Sequence, residues 1–198
     1  MDDIFPATAM PDPTWWQALW PHPARVLESL GVKPGMTVAD LCCGDGLFTA
    51  PLARVAKAVI AIDADPSMLD LARARIEADG LTNALFVAGD AYDLATLVGD
   101  PVDFVLLANT FHGVPDKPRL ARAAAAALKP GGWFAIVNWH RLPREETTVL
   151  GLPRGPRIEM RMTPQEVAAV IEPAGFRLVR VVELLPYHYG AIFETPAM

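Results

Sequence analysis

The chain has 198 residues, 52% of them hydrophobic, enough apolar material for one well-buried domain and too little length for two ordinary ones. A formal net charge of −6 gives no basic field for a phosphate backbone, so nucleic acid is not an expected partner, and no apolar run approaches the roughly 18 residues of a membrane-crossing helix. The start, Met-Asp-Asp-Ile-Phe-Pro, lacks a basic signal-peptide head, and the two cysteines, Cys42 and Cys43, are adjacent, which suits neither an ordinary disulfide nor a four-ligand metal site; a cytoplasmic, metal-free protein is expected.

Residues 1–23 are rich in proline and carry Trp15, Trp16 and Trp20, too aromatic a stretch for a disordered tail. This arm either packs on the flank of the domain or lids its ligand pocket; the domain itself is read as residues 24–198. Pro23 to Leu30 makes a short helix, with Val26, Leu27 and Leu30 on one face and Gly31 as its stop. After the turn Lys33-Pro34-Gly35, a first strand runs from Met36 to Cys42.

The stretch Val38 to Phe48 takes that strand past Asp40, turns through Gly44 and Gly46 and leads into a helix. A parallel α/β sheet builds a nucleotide site in this way at the carboxyl end of a strand. Pro51 is tolerated only in a first turn, so the regular helix starts near Thr49. A second strand, Lys57 to Ile62, ends in Asp63, and an acid about 20 positions on suits a bidentate grip on two ribose hydroxyls. Asp65 reads as an N-cap and Pro66 as the first residue of a helix, with Leu69, Ala72, Arg73 and Ile76 at helical spacing up to Gly80. Asp45 reads as a turn residue.

A third strand, Ala84 to Ala88, runs into Gly89-Asp90-Ala91, and a fourth, Val102 to Ala108, is almost wholly apolar and ends in Asn109-Thr110-Phe111-His112, a tip that faces the same crevice. The helix Pro118 to Leu128 stops at Lys129-Pro130-Gly131-Gly132 before a fifth strand, Trp133 to Trp139. His140 to Met162 has no periodicity and holds Arg141, Arg144, Arg154, Arg157 and Arg161. So long a loop is uncommon unless functional or disordered, and its arginines either meet an acidic acceptor or partner or are simply solvated. Thr163-Pro164-Gln165-Glu166 has the capping-box pattern, with Val167, Val170 and Ile171 as the buried stripe and Gly175 as the end. Phe176 to Leu185 and Gly190 to Glu194 have no helix between them, so they pair as an antiparallel hairpin around Pro186-Tyr187-His188-Tyr189.

Five βα units and a final strand pair make a doubly wound α/β domain, a Rossmann-like three-layer sandwich with a mostly parallel sheet. Two function classes share the glycine loop. A nicotinamide-dependent oxidoreductase is disfavoured, because Gly44-Asp45-Gly46-Leu47-Phe48-Thr49 lacks the third glycine of the dinucleotide fingerprint and no Tyr-x-x-x-Lys pair offers hydride chemistry. A noncatalytic module that binds a cofactor or a partner stays open.

Over roughly residues 24–194 the chain resembles the class I S-adenosylmethionine-dependent methyltransferases, of the small kind similar to quinone-biosynthesis methyltransferases. The resemblance implies a seven-stranded sheet with an antiparallel last strand and methyl transfer to a small-molecule acceptor, leaving S-adenosylhomocysteine. It puts Asp40, Cys42, Gly44 and Gly46 in the first cofactor motif, Asp63 on the ribose, Asp90 with Ala91 at the adenine amino group and Asn109 at the methionine portion. Ala64, Met68 and Phe111 are the apolar residues placed to sandwich the adenine. The family usually has glycine where this chain has Cys42, and a side chain there calls for negative φ. Asp63 and Asp90 have a plainer reading as caps of the following turns.

In-line methyl transfer needs alignment and exclusion of water, not a nucleophilic side chain. If the acceptor carries a proton, His112 and His140, and after them His188, are the candidate bases; each is otherwise an ordinary hydrogen-bonded histidine. Tyr187 and Tyr189 are read as hairpin packing. DNA or glutamine amino targets are disfavoured because Thr110 and Phe111 follow Asn109 where such enzymes have Pro-Pro-Tyr, and arsenic is disfavoured because both cysteines lie in the cofactor loop. A monomer or homodimer is expected.

Overall fold

Strands covered on both faces need apolar residues on both, and the central strands here show it in alternating order. The computed structural model describes residues 10–197; the rest of the arm, residues 1–9, lies outside it. The elements in chain order are α1 (Pro13–Leu19), α2 (Pro23–Leu30), β1 (Thr37–Leu41), α3 (Thr49–Val55), β2 (Ala58–Asp63), α4 (Pro66–Ala78), β3 (Ala84–Ala88), α5 (Leu94–Val98), β4 (Val102–Ala108), α6 (Lys117–Ala127) and β5 (Leu128–Trp139). They continue with a small hairpin, β6 (Thr148–Val149) and β7 (Leu152–Pro153), then α7 (Pro164–Ile171), β8 (Arg177–Leu184) and β9 (His188–Glu194).

Seven strands form one sheet in the order β3-β2-β1-β4-β5-β9-β8. The first five are parallel, and β9 runs antiparallel to both β5 and β8. The alternation sorts the core into two layers. Ala39, Leu41, Val105, Leu107, Phe134 and Ile136 face α5, α6 and α7. Val38, Val59, Phe104, Leu106 and Val137 face α1 to α4. Strand order reverses between β1 and β4, which opens a crevice beyond their carboxyl ends where such sheets bind ligands.

Capping starts the helices where the sequence reading puts them. Asp65 accepts a hydrogen bond from the Ser67 amide (2.8 Å) ahead of Pro66, and Thr163 and Glu166 close the reciprocal capping box of α7. The Trp-rich arm contains a helix that its proline content hides: Asp12 caps it through the Thr14 amide (2.9 Å), and Pro13 takes the first turn, where its missing N–H costs nothing. Trp16, Leu19 and Trp20 are buried in the same apolar layer as α2 and α3. Helix α5 escapes a periodicity reading because five residues show barely more than one turn.

Two expectations are corrected. The segment Lys129–Gly132 does not simply separate α6 from a strand beginning at Trp133. Leu128 already pairs with Val102, and the register shifts before Trp133 pairs with Phe104. The irregular segment is pinned by Lys129 on Asp103 (2.6 Å) and by Thr195, whose amide donates to the Gly132 carbonyl (3.0 Å). The loop after β5 is also ordered, and Arg161 orders it. The residue is 1% exposed, and its guanidinium donates to the carbonyls of Pro156 (2.9 Å), Leu142 (2.9 Å) and Arg154 (3.1 Å) and to the Thr147 hydroxyl (2.9 Å), while lying 5.1 Å from the Trp139 ring. Arg161 is therefore neither a solvated charge nor a ligand for an acidic acceptor. Arg141 pairs with Glu166 (2.6 Å).

His188 is wedged between the indoles of Trp20 (4.5 Å) and Trp139 (4.1 Å), with both ring nitrogens buried and without a protein partner. Burial, and then the nearby cationic groups, hold it neutral well below its ordinary value of 6.5. The unfolded chain binds a proton there as pH falls through 6.5 and the folded chain does not, so stability is full above about pH 7 and is lost on acidification. His188→Phe keeps a ring between the indoles and removes the proton site. In denaturant titrations, the difference in unfolding free energy between wild type and this variant should be flat above about pH 7.5. It should then move against the wild type by up to about 1.4 kcal/mol per pH unit between pH 6 and 5.

Candidate active site

The site is built where β1 turns into its loop. Cys42, directly after the strand, has φ +58, which corrects the expectation of a negative value: the chain must reverse at once to bring Cys43 onto the Ile62 carbonyl (3.0 Å). A left-handed residue with a Cβ costs about 1–2 kcal/mol, and a small side chain keeps that cost near the low end. Gly44 follows at φ +55 and donates its amide to Asp63 Oδ2 (2.9 Å). The same carboxylate takes the Asp65 amide on Oδ1 (3.0 Å). Gly46 has a different task. A Cβ there would stand 2.8 Å from the Ala72 backbone, so its absence lets the loop lie against α4, where Arg75 pairs with Asp45.

Two strand tips complete the floor. Asp40 on β1 is 2% exposed and accepts the Thr49 hydroxyl (2.6 Å). Burial pushes its pKa up to about 7, the Thr49 bond opposes this and the Asp63 charge adds to it. Beyond β4, Asn109 also adopts φ +61, and both polar atoms of its side chain are buried without a protein partner. His112 next to it has a buried, unpartnered Nδ1. Burial brings its pKa down to about 4; the Asn138 amide lies near enough to oppose this without closing a hydrogen bond, and Lys117 and Arg161 lower it further. At neutral pH the ring is uncharged.

These tips open into one cavity of about 500 Å³. Asp40, Cys42, Gly44, Asp63 and Met68 line it on the β1–β2 side, and Asn109 and His112 line it at the tip of β4. Further wall comes from two separate segments. The arm supplies Met10, Pro11, Trp15 and Trp16, while Trp20 is buried in the core. The loop after β5 supplies Arg144, Arg154 and Met160. The two segments touch where the Arg154 guanidinium lies 5.0 Å from the Trp15 ring.

Several predicted site residues lie elsewhere. Gly46, Ala64, Asp90, Ala91 and His140 are not part of the cavity lining. Asp90 caps the turn after β3 through the Tyr92 amide (2.9 Å), as in its plainer reading, yet it is near enough to the Cys42 thiol to help raise its pKa. Ala91 and Phe111 belong to the core layer against α6. His140 places Nε2 2.8 Å from Glu183 on β8. Both cysteine thiols are held protonated, first by burial and then by the surrounding carboxylates, which leaves no thiolate to react. The reading from sequence missed Phe48 and Trp139 as cavity walls. Trp139 was findable, since it ends β5 on the same edge as Asn109.

A family profile described as a methyltransferase domain matches residues 38–132. The chain is similar to the ubiquinone biosynthesis O-methyltransferase of Methylobacterium nodulans, 31% identical over 196 residues, covering 84% of this chain and 78% of that one. Among solved structures it is similar to a SAM-dependent methyltransferase from Aquifex aeolicus, with a TM-score of 0.77 and 28% identity over 92% of this chain and 93% of that one. A complex of DhpI with SAH shares the fold at a TM-score of 0.69 and 21% identity, over 92% of this chain and 87% of that one.

An ionised Asp40 favours a cationic ligand, and with a pKa of about 7 it is mostly protonated at pH 6. Calorimetric affinity for S-adenosylmethionine should therefore rise severalfold, up to about tenfold, between pH 6 and 7.5. Asp40→Asn should bind more weakly at pH 7.5 and lose most of this slope.

Proposed function

The chain belongs to the class I S-adenosylmethionine-dependent methyltransferases, and from that premise we propose that the cavity over Asp40, Asp63 and Asn109 is the methyl-transfer site. The enzyme transfers a methyl group from S-adenosylmethionine to a small-molecule acceptor. The cofactor supplies an electrophilic methyl on a sulfonium and leaves as S-adenosylhomocysteine.

The observation that carries the assignment is Asn109. A left-handed backbone and two buried, unpartnered polar atoms each cost free energy in the protein alone. Both are repaid when a ligand with an ammonium or carboxylate group meets the amide. The other holders fit as well. Each Asp63 oxygen accepts one backbone N–H, and those bonds fix the carboxylate while leaving lone pairs for a diol. Asp40 offers charge to a cation, and Met68 is the apolar neighbour for a flat base. Gly44 lets the loop backbone approach closely.

The remaining residues align the acceptor and keep water out. Trp16, Phe48 and Trp139 give the acceptor side an aromatic wall. His112, neutral at physiological pH, receives a hydrogen bond from an acceptor hydroxyl and holds its oxygen toward the methyl; with its pKa so depressed, it orients the nucleophile more than it stores the proton. His140, paired with Glu183, has no part in this reading. The arm over residues 10–23 and the loop at 144–160 act together as the lid of the 24–198 domain. Two protonated, unpaired cysteines suit a reducing compartment, and among the described residues no helix is long and apolar enough to cross a membrane. We accordingly place the enzyme in the cytoplasm, as a monomer or homodimer acting on neither nucleic acid nor membrane.

Thermal unfolding with S-adenosylhomocysteine and with NAD, on wild type and Asp63→Ala, tests the assignment. A ligand at about 100 times its dissociation constant stabilises by about 2.7 kcal/mol, which raises the midpoint by roughly 5–10 °C in a domain of this size. The adenosyl-sulfur ligand should do this for the wild type, the gain should collapse in the variant, and NAD should give none. Stabilisation by NAD alone would sink the reading.

A further inference from the structure

Of the five arginines between His140 and Met162, the structure gives Arg161 to the loop's own carbonyls and Arg141 to Glu166. Of the other three, Arg157 is exposed and outside the cavity lining, which leaves Arg144 and Arg154. Both line the cavity, and among the described residues neither has a carboxylate within 4.0 Å. Arg154 Nε is buried without a protein partner, and its guanidinium lies against the Trp15 ring. Arg144 is solvent-exposed at the cavity, whereas Arg154 is half-buried, and leaving its buried N–H unpaired costs free energy unless something that binds there supplies an acceptor.

The backbone that carries the two cations is also held in place. Thr147, fully buried, donates its amide to the Arg144 carbonyl (3.1 Å) and its hydroxyl to the Arg154 carbonyl (2.8 Å). The Thr147 carbonyl accepts the Arg154 amide (2.9 Å). Arg161 clamps this knot from below through the Thr147 hydroxyl (2.9 Å). The backbones that carry both arginines are thus pre-organised, which is how a protein lowers the entropy cost of gripping a ligand. The aromatic residues Trp16, Phe48 and Trp139 line the same cavity as this pair and His112.

Resting on the methyltransferase assignment above, we infer that the acceptor is a small aromatic carboxylate. Its ring lies on the aromatic wall, its anionic group is taken by Arg144 and Arg154, and the atom to be methylated points toward Asn109 and His112. The carboxylate is spectator chemistry: no bond to it forms or breaks, and its recognition selects the substrate.

The cavity carries its own reporter, since Trp15, Trp16 and Trp139 line it. The protein saturated with S-adenosylhomocysteine is titrated with 3,4-dihydroxybenzoate, with 3,4-dihydroxybenzamide and with catechol, following tryptophan fluorescence. The carboxylate should bind at least about tenfold more tightly than the amide or the diol, the cost of losing one charge-assisted bond being of that order. Arg144→Gln and Arg154→Gln should each erase the preference while leaving the dissociation constant of S-adenosylhomocysteine within about twofold. Equal binding of the three probes, no binding of any, or a preference that survives the double variant overturns the inference. A tenfold loss of S-adenosylhomocysteine affinity in the arginine variants overturns it too, by assigning the pair to the carboxylate of the cofactor. If S-adenosylhomocysteine fails to bind the wild type at all, it is the methyltransferase site that falls, a separate result.

Discussion

The carboxylate of Asp63, buried at the tip of β2, is the constraint on which the site depends. By taking the Gly44 amide from the loop after β1 and the Asp65 amide from its own turn, it fixes two strand tips relative to each other. A buried carboxylate with fewer donors would be costly to keep charged, so the loop must present its amide, and to do so it enters the left-handed region at Cys42 and Gly44. The sheet supplies the strand spacing and the carboxylate converts it into a cradle.

The wall from the loop after β5 depends on a second polar knot of different composition. Arg161 replaces the periodic hydrogen bonds that the loop after β5 lacks, donating to four carbonyls and one hydroxyl. A segment without helix or ladder must satisfy its backbone in some other way, and one guanidinium with five donors is an economical means. Floor and roof are therefore ordered independently, one by a carboxylate collecting amides and the other by a cation collecting carbonyls.

Much of this was legible in the residues. The third and fourth strands, the helix from Pro23 to Leu30 and the Thr163 capping box appear where alternation, proline and cap chemistry place them. Asp40, Asp63, Asn109 and His112 were findable because each ends a parallel strand or follows one closely, and the carboxyl edge of a doubly wound sheet gathers such tips into one crevice. What stayed hidden was long-range. Nothing local distinguishes Arg161 from Arg144, since a strut and a cavity cation have the same side chain and differ only in what surrounds them after folding. The turn at Cys42 was misjudged for a related reason: propensity argues against positive φ at that position, and the pairing of Cys43 with β2 overrides it. Helix α1 was masked by prolines that in fact sit at tolerated places.

Asp40 gives the site a property that its shape does not reveal. A carboxyl whose pKa stands at about 7 leaves the ligand-free protein, near neutral pH, as a roughly equal mixture of two charge forms. Capture of a cation by the ionised form then expels on the order of half a proton per binding event. The heat of association accordingly includes the ionisation enthalpy of whatever buffer receives that proton, and the enthalpy of ligand capture belongs to protein and medium together.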